Sequence, residues 1–159
     1  MANIVLTRID DRLIHGQVMT AWVKQTKATR IIIIDDVVAK DDFMKKVLTM
    51  AAPPGISVSV YNIKEAADDL KNFQDSNGRI VILAKVPESV ERVINEGVDI
   101  NEIIVGGMGA APGRKKLYKN VSISESEKET FLRLLKNGVK VTIQIVPDER
   151  PMPIEKAFK

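Results

Sequence analysis

The sequence contains no cysteine, and His15 is the single histidine among its 159 residues. Disulfides and thiolate metal sites are therefore excluded, and a zinc site built from several histidines cannot form within one chain. Aromatic residues make up 4% of the chain, and no run approaches the roughly 18 apolar residues of a membrane-spanning helix. We expect no metal site, no membrane span, no secretory signal and a cytoplasmic location.

The charge balance is only mildly basic. Lysine and arginine together number 24 against 21 aspartate and glutamate residues, which gives a formal net charge of +3. Nucleic-acid-binding proteins more often carry a strong basic stripe interleaved with aromatic side chains, so we expect no nucleic-acid partner. An acidic protein partner or a phosphate group suits this balance better.

The length and the apolar pattern indicate one domain over residues 1–159, large enough to fold without disulfides or metals. Short runs rich in Ile and Val alternate with helix-like segments, which is typical of a mostly parallel sheet covered on both faces. We predict an α/β fold with a doubly wound sheet of about seven strands and helices on both faces. The predicted strands span residues 3–7, 30–34, 56–61, 80–84, 102–105, 121–123 and 139–146. From Pro147 onward, the tail is expected to pack over the surface or to fray.

The segment from Arg8 to Gln17 surrounds the single histidine with charged side chains. It reads Arg-Ile-Asp-Asp-Arg-Leu-Ile-His-Gly-Gln and lies between the first predicted strand and the first predicted helix. Loops that follow strands in open α/β sheets are common ligand sites, since helix N-termini present free N–H groups there. We therefore expect His15 in a strand-to-helix loop that carries the chemistry.

These residue types suit phosphoryl transfer through a phosphohistidine. Histidine can present one unprotonated ring nitrogen while Asp10, Asp11 or a backbone carbonyl holds the other. The planar forks of Arg8 and Arg12 would offset charge on the transferred group. Gly16 would let the backbone approach that group closely. Two alternatives stay open: an ion-pair cluster with a spectator histidine, and a regulatory module that binds an anion without covalent modification.

The same segment resembles the signature of IIB components of the bacterial sugar phosphotransferase system, in the mannose/fructose/sorbose family. The runs Val-Gly-Gly-Met at 105–108 and Val-Ser-Ile-Ser at 121–124 also resemble family segments. The resemblance implies that His15 accepts a phosphoryl group from a phosphohistidine on a IIA partner. It passes the group to a sugar that enters through membrane IIC and IID subunits. The implied activity is that of a protein-N(π)-phosphohistidine–sugar phosphotransferase. It needs no cofactor and is associated peripherally with the inner face of the membrane.

We predict catalytic roles for His15, Arg12 and Asp10. The residues predicted to bind the phosphoryl group or the partner are Arg8, Gly16, Gln17, Gly106 and Gly107. We expect Arg8 in a solvent-facing loop, the glycine-rich run at 106–113 as a flexible loop beside His15, and the run at 114–116 on a solvated face. The sugar, the phosphorylated ring nitrogen and homo-oligomerisation stay open.

An aspartyl-phosphate receiver domain is the rival fold-level interpretation, because Asp35, Asp36 and Lys85 follow predicted strands. The order of these residues is wrong for it. The acidic pair follows the second strand instead of the first, and the third strand ends in Tyr-Asn where a receiver carries its phosphoacceptor aspartate. We therefore interpret the acidic pair as part of a loop or a helix start.

Overall fold

The protein is described from a computed structural model that covers residues 2–73 and 77–159, without the side chain of Gln17. Within these ranges, the strands are β1 (Ile4–Asp10), β2 (Arg30–Ile34), β3 (Ser57–Tyr61), β4 (Ile80–Ala84), β5 (Glu102–Gly107), β6 (Lys115–Tyr118), β7 (Val121–Ile123), β8 (Lys140–Ile143) and β9 (Met152–Pro153). The α-helices are α1 (Gly16–Thr26), α2 (Asp42–Met50), α3 (Ile63–Lys71), α4 (Pro87–Asn95), α5 (Glu125–Lys136) and α6 (Ile154–Ala157). None of these helices has the length and apolarity to span a bilayer.

Seven of the strands form a central sheet in the order β3-β2-β4-β1-β5-β8-β9. All neighbouring pairs are parallel except β8 with β9. The strands β6 and β7 pair with each other in a separate antiparallel ribbon. The first strand of the chain thus lies in the interior of the sheet, between β4 and β5.

Helices cover both faces of this sheet. Buried side chains of α1 and α2, such as Trp22 and Leu48, pack with one set of sheet residues. Those of α3, α4 and α5, such as Leu70, Val90 and Phe131, pack with the alternate set. Because side chains alternate between the faces of a strand, both faces of a covered parallel strand must be apolar. The predicted α/β class with a doubly wound, mostly parallel sheet is confirmed.

The observed sheet differs from the predicted one in several details. The predicted sixth strand exists as β7, but it pairs with β6 outside the central sheet. The seventh strand of the central sheet is β9, which comes from the C-terminal tail. The tail does not fray, because Ile154, the residue after β9, is fully buried. In addition, β1 continues to Asp10 although the sequence predicted its end at Thr7. This extension decides where the charged residues of the following segment lie.

A polar cluster holds α3 against the edge of the sheet. Arg30 on β2 donates from Nη2 to the carboxylate of Asp69 on α3 at 2.6 Å. The hydroxyl of Tyr61 donates to the same carboxylate at 2.6 Å. Burial would raise the pKa of Asp69, but the hydrogen bonds and the charge of Arg30 outweigh it and hold the pKa below its ordinary value. The ionised carboxylate therefore stabilises the folded state.

We expect Asp69→Asn to lower the free energy of unfolding at pH 7 by roughly 1.5–3 kcal/mol, the range for hydrogen bonds to charged groups. A carboxylate with a lowered pKa contributes stability above its unfolded pKa and loses it as pH falls through the folded pKa. The gap between wild type and variant should therefore narrow in acid. Urea unfolding at neutral and acidic pH measures it, with Asp68→Asn, an exposed position on the same helix, as the control. If the difference in free energy of unfolding between wild type and Asp69→Asn widened in acid, the stabilising role of the ionised Asp69 carboxylate would be contradicted.

Candidate functional site

The candidate site lies at the carboxyl end of β1, in the interior of the sheet. From this end the chain turns into α1 on one face, whereas the elements after β5 pack on the opposite face. Neighbouring strands whose connections leave to opposite faces open a crevice between them at their carboxyl ends. The crevice between β1 and β5 is where the structure brings the charged side chains together.

A tight turn connects β1 to α1 and ends at His15. The backbone N–H of Leu13 donates to the carbonyl of Asp10 at 2.9 Å. Leu13 has φ +57°, a left-handed conformation that is uncommon for a bulky residue and is found where surrounding structure enforces it. Its side chain is buried in the core below α1, which holds the conformation. The carbonyl of Leu13 consequently lies 3.2 Å from Nδ1 of His15, the N-cap residue of α1.

A single buried carboxylate, that of Asp10, organises the charged side chains. It is fully shielded from solvent and accepts hydrogen bonds from Arg12 at its backbone N (3.0 Å), Nε (3.1 Å) and Nη2 (3.1 Å). The hydrogen bond to Asp10 raises the pKa of Arg12, whose side chain remains 50% exposed. Nε2 of His15 lies 3.9 Å from the same carboxylate. Asp10 therefore fixes the arginine beside the histidine while leaving part of the guanidinium open to solvent.

Arg8 occupies a different environment from Arg12, and the expectation of a solvent-facing loop was wrong. It lies within β1 with no exposed surface. Its guanidinium donates to the backbone carbonyls of Gln144 (2.9 Å) and Ile145 (3.0 Å), and lies 5.2 Å from the ring centroid of Trp22. Burial lowers the pKa of Arg8, although the Asp10 carboxylate opposes this effect. Arg8 therefore pairs with Asp10 in the interior of the protein and does not line the open site.

Gly106 and Gly107 belong to β5, so the expectation of a flexible loop is wrong for these two residues, whereas the segment at 109–113 lies outside the strands and helices. Gly106 and Gly107 are both buried. A Cβ atom on Gly106 would overlap the guanidinium of Arg8, which explains why a residue without a side chain stands there. A Cβ atom on Gly107 would lie 3.2 Å from Oδ1 of Asp10 and 3.3 Å from Nη2 of Arg12. The glycines thus make room for the buried charges of β1, and neither is placed to wrap a phosphate as a mobile loop.

We expect Gly106→Ala to lower the free energy of unfolding by roughly 3 kcal/mol, at the upper end of the overpacking range, because the Arg8 guanidinium is held on several sides and cannot yield. The Cβ atom of Gly107→Ala would make tight contacts of 3.2–3.3 Å, which shifts of a few tenths of an ångström can relieve, so this variant should cost less. Urea unfolding of the two variants beside wild type checks this order. Equal stability of Gly106→Ala and wild type would contradict the close packing of Arg8 against β5.

The neighbouring carboxylate, Asp11, faces away from His15 and joins a second network. Its Oδ2 accepts from the backbone N of Gly109 at 2.7 Å and lies 3.5 Å from Nη1 of Arg114. Arg114 also forks onto the carboxylate of Glu127 on α5, at 3.0 and 2.8 Å. The expectation that the run at 114–116 is a solvated face is therefore wrong for Arg114, whose side chain is 12% exposed. The expectation of a solvated face is correct for Lys115 and Lys116, which are exposed.

His15 itself is partly accessible. Its side chain is 21% exposed, but Nε2 is shielded from solvent and has no hydrogen-bond partner among the described residues.

Gly16 has φ +46° and is the first residue of α1. Gln17 lies in the first turn of α1, and its side chain falls outside the described part of the structure. Within residues 2–73 and 77–159, no three acidic or histidine side chains gather into a metal site.

Sequence reasoning missed several groups that shape this site. Leu13, Gly109, Arg114 and the carbonyls at 144–145 all contribute, yet none is a residue type that marks catalysis by itself. One signal was available. The alternation Arg8-Ile9-Asp10 continues the two-residue period of β1, so that both charged residues share one face of the strand. The carbonyl partners of Arg8 lie more than 130 residues away along the chain, and no local pattern indicates them.

The sequence matches the family described as "PTS system sorbose subfamily IIB component" over residues 4–159. It is 40% identical to the sorbose-specific EIIB component of Klebsiella pneumoniae over 147 residues, which cover 92% of this chain and 90% of that protein. The fold is similar to the crystal structure of the IIBSor domain of the sorbose permease from Klebsiella pneumoniae. The TM-score is 0.94 at 38% identity, over 98% of this chain and 96% of that one.

Some relatives are longer proteins. The chain is 38% identical over 143 residues to the mannose-specific EIIAB component of Escherichia coli K12, and the match covers 90% of this chain but 44% of that protein. The chain therefore spans less than half the length of this relative.

Proposed function

The chain belongs to the sorbose subfamily of PTS IIB components, and on this basis we propose that it is a phosphoryl carrier in which His15 is the acceptor. His15 takes the phosphoryl group from a phosphohistidine of a IIA partner. It then gives the group to a sugar taken up through membrane IIC and IID subunits. The observation that carries the proposal is the placement of a partly exposed histidine beside an arginine that a buried carboxylate holds in position.

The charge of the phosphoryl group can be met on two sides. Arg12 directs two of its five N–H bonds to Asp10, and the others, which have no partner among the described residues, can bind phosphoryl oxygens. The first α-helical bond of α1 runs from Met19 N to the carbonyl of His15. The backbone N–H groups between these residues have no acceptor within the helix and carry the positive end of its dipole. Most of the stabilisation in phosphoryl transfer comes from such positioned donors.

We propose Nδ1 of His15 as the phosphorylated nitrogen. Nε2 is shielded from solvent and faces the Asp10 carboxylate at 3.9 Å, and a carboxylate favours the proton on the nitrogen it faces. In the neutral ring, Nδ1 then has the free electron pair that a nucleophile needs. In its 3.2 Å contact with the Leu13 carbonyl, Nδ1 can act only as a donor. That contact belongs to the other tautomer and is broken when the ring proton moves to Nε2 and phosphorus binds Nδ1. Nitrogen NMR of the phosphorylated protein distinguishes the two ring positions.

Two displacements complete the cycle. The bond from the donor nitrogen to phosphorus breaks as a bond from His15 to phosphorus forms. In the second step that bond breaks as the oxygen of a sugar hydroxyl binds phosphorus, and the hydroxyl proton passes to the released lone pair of the His15 ring and from there to solvent. The carrier is therefore regenerated, with no change in its own oxidation state or cofactor content.

The partners follow from the same proposal. A phosphorylated IIA protein or domain must reach His15 from solvent, and the acceptor side is a membrane sugar permease, which would hold this chain peripherally at the inner face of the membrane. The sugar stays open, because relatives named for sorbose and for mannose match at similar identity, 40% and 38%.

Incubation with phosphoenolpyruvate, the general phosphotransferase proteins and a IIA partner tests the proposal. We expect intact-mass spectrometry to detect one added phosphoryl group that is lost in acid and retained in base, since a bond from phosphorus to nitrogen is expected to be acid-labile. Omission of the IIA partner should prevent the addition. An unmodified chain, or an acid-stable phosphate, would contradict the proposal, and stable binding of an anion without modification would favour a regulatory module.

A further inference from the structure

A bridge of three charged side chains connects the loop of His15 to the opposite wall of the crevice. It consists of Asp11, Arg114 and Glu127, and we refer to it as the Asp11–Arg114–Glu127 bridge. Arg114 contacts Asp11 at 3.5 Å and forks onto Glu127 at 3.0 and 2.8 Å. It also donates to the carbonyl of Gly109 at 2.9 Å. A single guanidinium therefore links the turn after β1, the segment after β5 and the first turn of α5.

The far end of the bridge is a fixed point. Glu127 completes a capping box at the N-terminus of α5, because its Oε1 accepts from Ser124 N at 2.8 Å while Ser124 Oγ accepts from Glu127 N at 3.1 Å. Its side chain is 8% exposed, and that of Arg114 is 12% exposed. Because both side chains are largely buried, their pairing costs little additional conformational entropy. The pairing of two exposed side chains costs more.

The near end of the bridge adjoins the reacting residues. Asp11 lies between Asp10, whose carboxylate holds the Arg12 side chain, and Arg12, which would face the phosphoryl group under the proposed function. Its backbone N donates to the carbonyl of Gly107 at 3.1 Å, and its side chain accepts from Gly109 N at 2.7 Å. Rotation of Asp11 away from these contacts would carry Arg12 with it, since the two are consecutive along the chain.

We propose that Arg114 is a positioning residue, which holds the turn from Asp10 to His15 in the geometry needed for phosphoryl transfer without touching the phosphoryl group. The proposal rests on the function proposed above for His15. Displacement of a reacting group by about 1 Å can slow a reaction on the order of 10²-fold. Loss of the bridge should therefore reduce the rate of transfer within the bound complex and leave association with the donor unchanged.

The chain offers a matched control. Arg133 on α5 forks onto Glu91 on α4 at 2.9 and 3.0 Å, which is also a two-point arginine–glutamate pair involving α5, with its arginine 53% exposed. That pair does not contact the turn of His15. Arg133→Gln thus removes an equivalent arginine fork without loosening the candidate site, and it separates positioning from a general loss of ion pairs.

The experiment measures single-turnover transfer from phospho-IIA to wild type, Arg114→Gln, Glu127→Gln and Arg133→Gln over a range of donor concentrations. Glutamine at 127 can preserve the capping box while removing the charge that anchors Arg114, so this variant carries the test if Arg114→Gln does not fold. We expect Arg114→Gln and Glu127→Gln to lower the maximal rate by roughly 10–100-fold with half-saturation within about twofold of wild type. Arg114→Lys should recover part of the loss, because it keeps the charge but not the fork. Arg133→Gln should match wild type.

Three results would overturn the proposal: a maximal rate unchanged in both bridge variants, an equal loss in Arg133→Gln, or a change confined to half-saturation, which would make Arg114 a contact for the donor. Hydrogen exchange of the Gly109 amide provides a readout that needs no transfer. It should accelerate in Arg114→Gln and not in Arg133→Gln, and unchanged exchange would also overturn the proposal. A wild-type chain that is never phosphorylated would contradict the function proposed for His15, whereas the exchange result would still decide the role of the bridge.

Discussion

Replacement of His15 by alanine is expected to abolish phosphorylation completely, because the chain contains no other histidine. The fold should be unaffected. His15 is the N-cap residue of α1, but its side chain makes no capping hydrogen bond, so its removal costs the helix no cap. Incubation with phosphoenolpyruvate, the general phosphotransferase proteins and a IIA partner, followed by intact-mass spectrometry, should detect a single unmodified species.

His15→Asn is the control for stability. Asparagine is among the preferred N-cap residues, and the extended backbone of His15 (φ −150°, ψ 129°) suits that position. This variant should therefore melt at or above the wild-type temperature and yet remain unmodified. Phosphorylation of either variant to the wild-type extent would move the acceptor to another residue and contradict the proposed function.

The second large effect is expected at Arg12. If its charge acts mainly in the transition state, Arg12→Ala should slow transfer by roughly 10²–10³-fold, which corresponds to about 2.7–4 kcal/mol, by analogy with the removal of one preorganised donor. Asp10 retains Arg8 at 3.4 Å, so its buried carboxylate is not left without a cation. Arg12→Lys should recover only part of the rate, because an ammonium group cannot reproduce the planar fork. Stopped-flow measurement of transfer from phospho-IIA gives these rates.

Arg92→Ala is the matched control for Arg12→Ala. Arg92 is 59% exposed and pairs with Asp36 at 2.8 Å, so it resembles Arg12 in exposure and in having an aspartate partner. Its partner Asp36 follows β2, the second strand away from β1 in the sheet. Its loss should leave the transfer rate unchanged. Wild-type rates in both Arg12 variants, or an equal loss in Arg92→Ala, would assign Arg12 a structural role at most.

The sheet was predictable from the sequence because its strands are buried on both faces. The runs Ile31–Ile34 and Ile80–Ala84 are apolar throughout and fully buried, and a parallel sheet is the common architecture that requires such strands. Asn62 with Glu65 and Ser124 with Glu127 have the three-residue spacing of a capping box, which is an equally local signal, and both boxes are present in the structure. In these cases the local pattern and the tertiary packing favour the same structure.

The charged strand end was not predictable in the same way. Arg8 and Asp10 look like loop residues by composition, and they are tolerated inside β1 because the carbonyls of Gln144 and Ile145, the Trp22 ring and the glycine at 106 accommodate them. A buried charge requires such partners. They come from distant parts of the chain, so the burial of Arg8 follows only from the assembled fold.

The C-terminal tail shows a second limit. Its proline and charge content is typical of a surface segment, yet Met152 and Pro153 add a short antiparallel strand to β8. Two residues are too few for a strand pattern to be recognised in a sequence. Their pairing depends on the preceding turn, where the side chain of Gln144 donates to the carbonyls of Pro147 and Glu149 at 3.1 and 2.8 Å.

The anchoring of Arg8 has a consequence for the biosynthesis of the protein. A chain leaves the ribosome from its N-terminus, so β1 is translated well before residues 144–145, yet Arg8 donates to Gln144 across 136 residues and Trp22 donates to Ile145 across 123. Contacts of such long sequence separation form slowly, because closing a long loop costs conformational entropy. A nascent or prematurely released chain that ends before residue 144 contains the complete segment from Arg8 to Gln17 and lacks the carbonyl groups that hold its first arginine. Under the proposed function, competence to carry a phosphoryl group would therefore be acquired only after residues 144–145 have been translated.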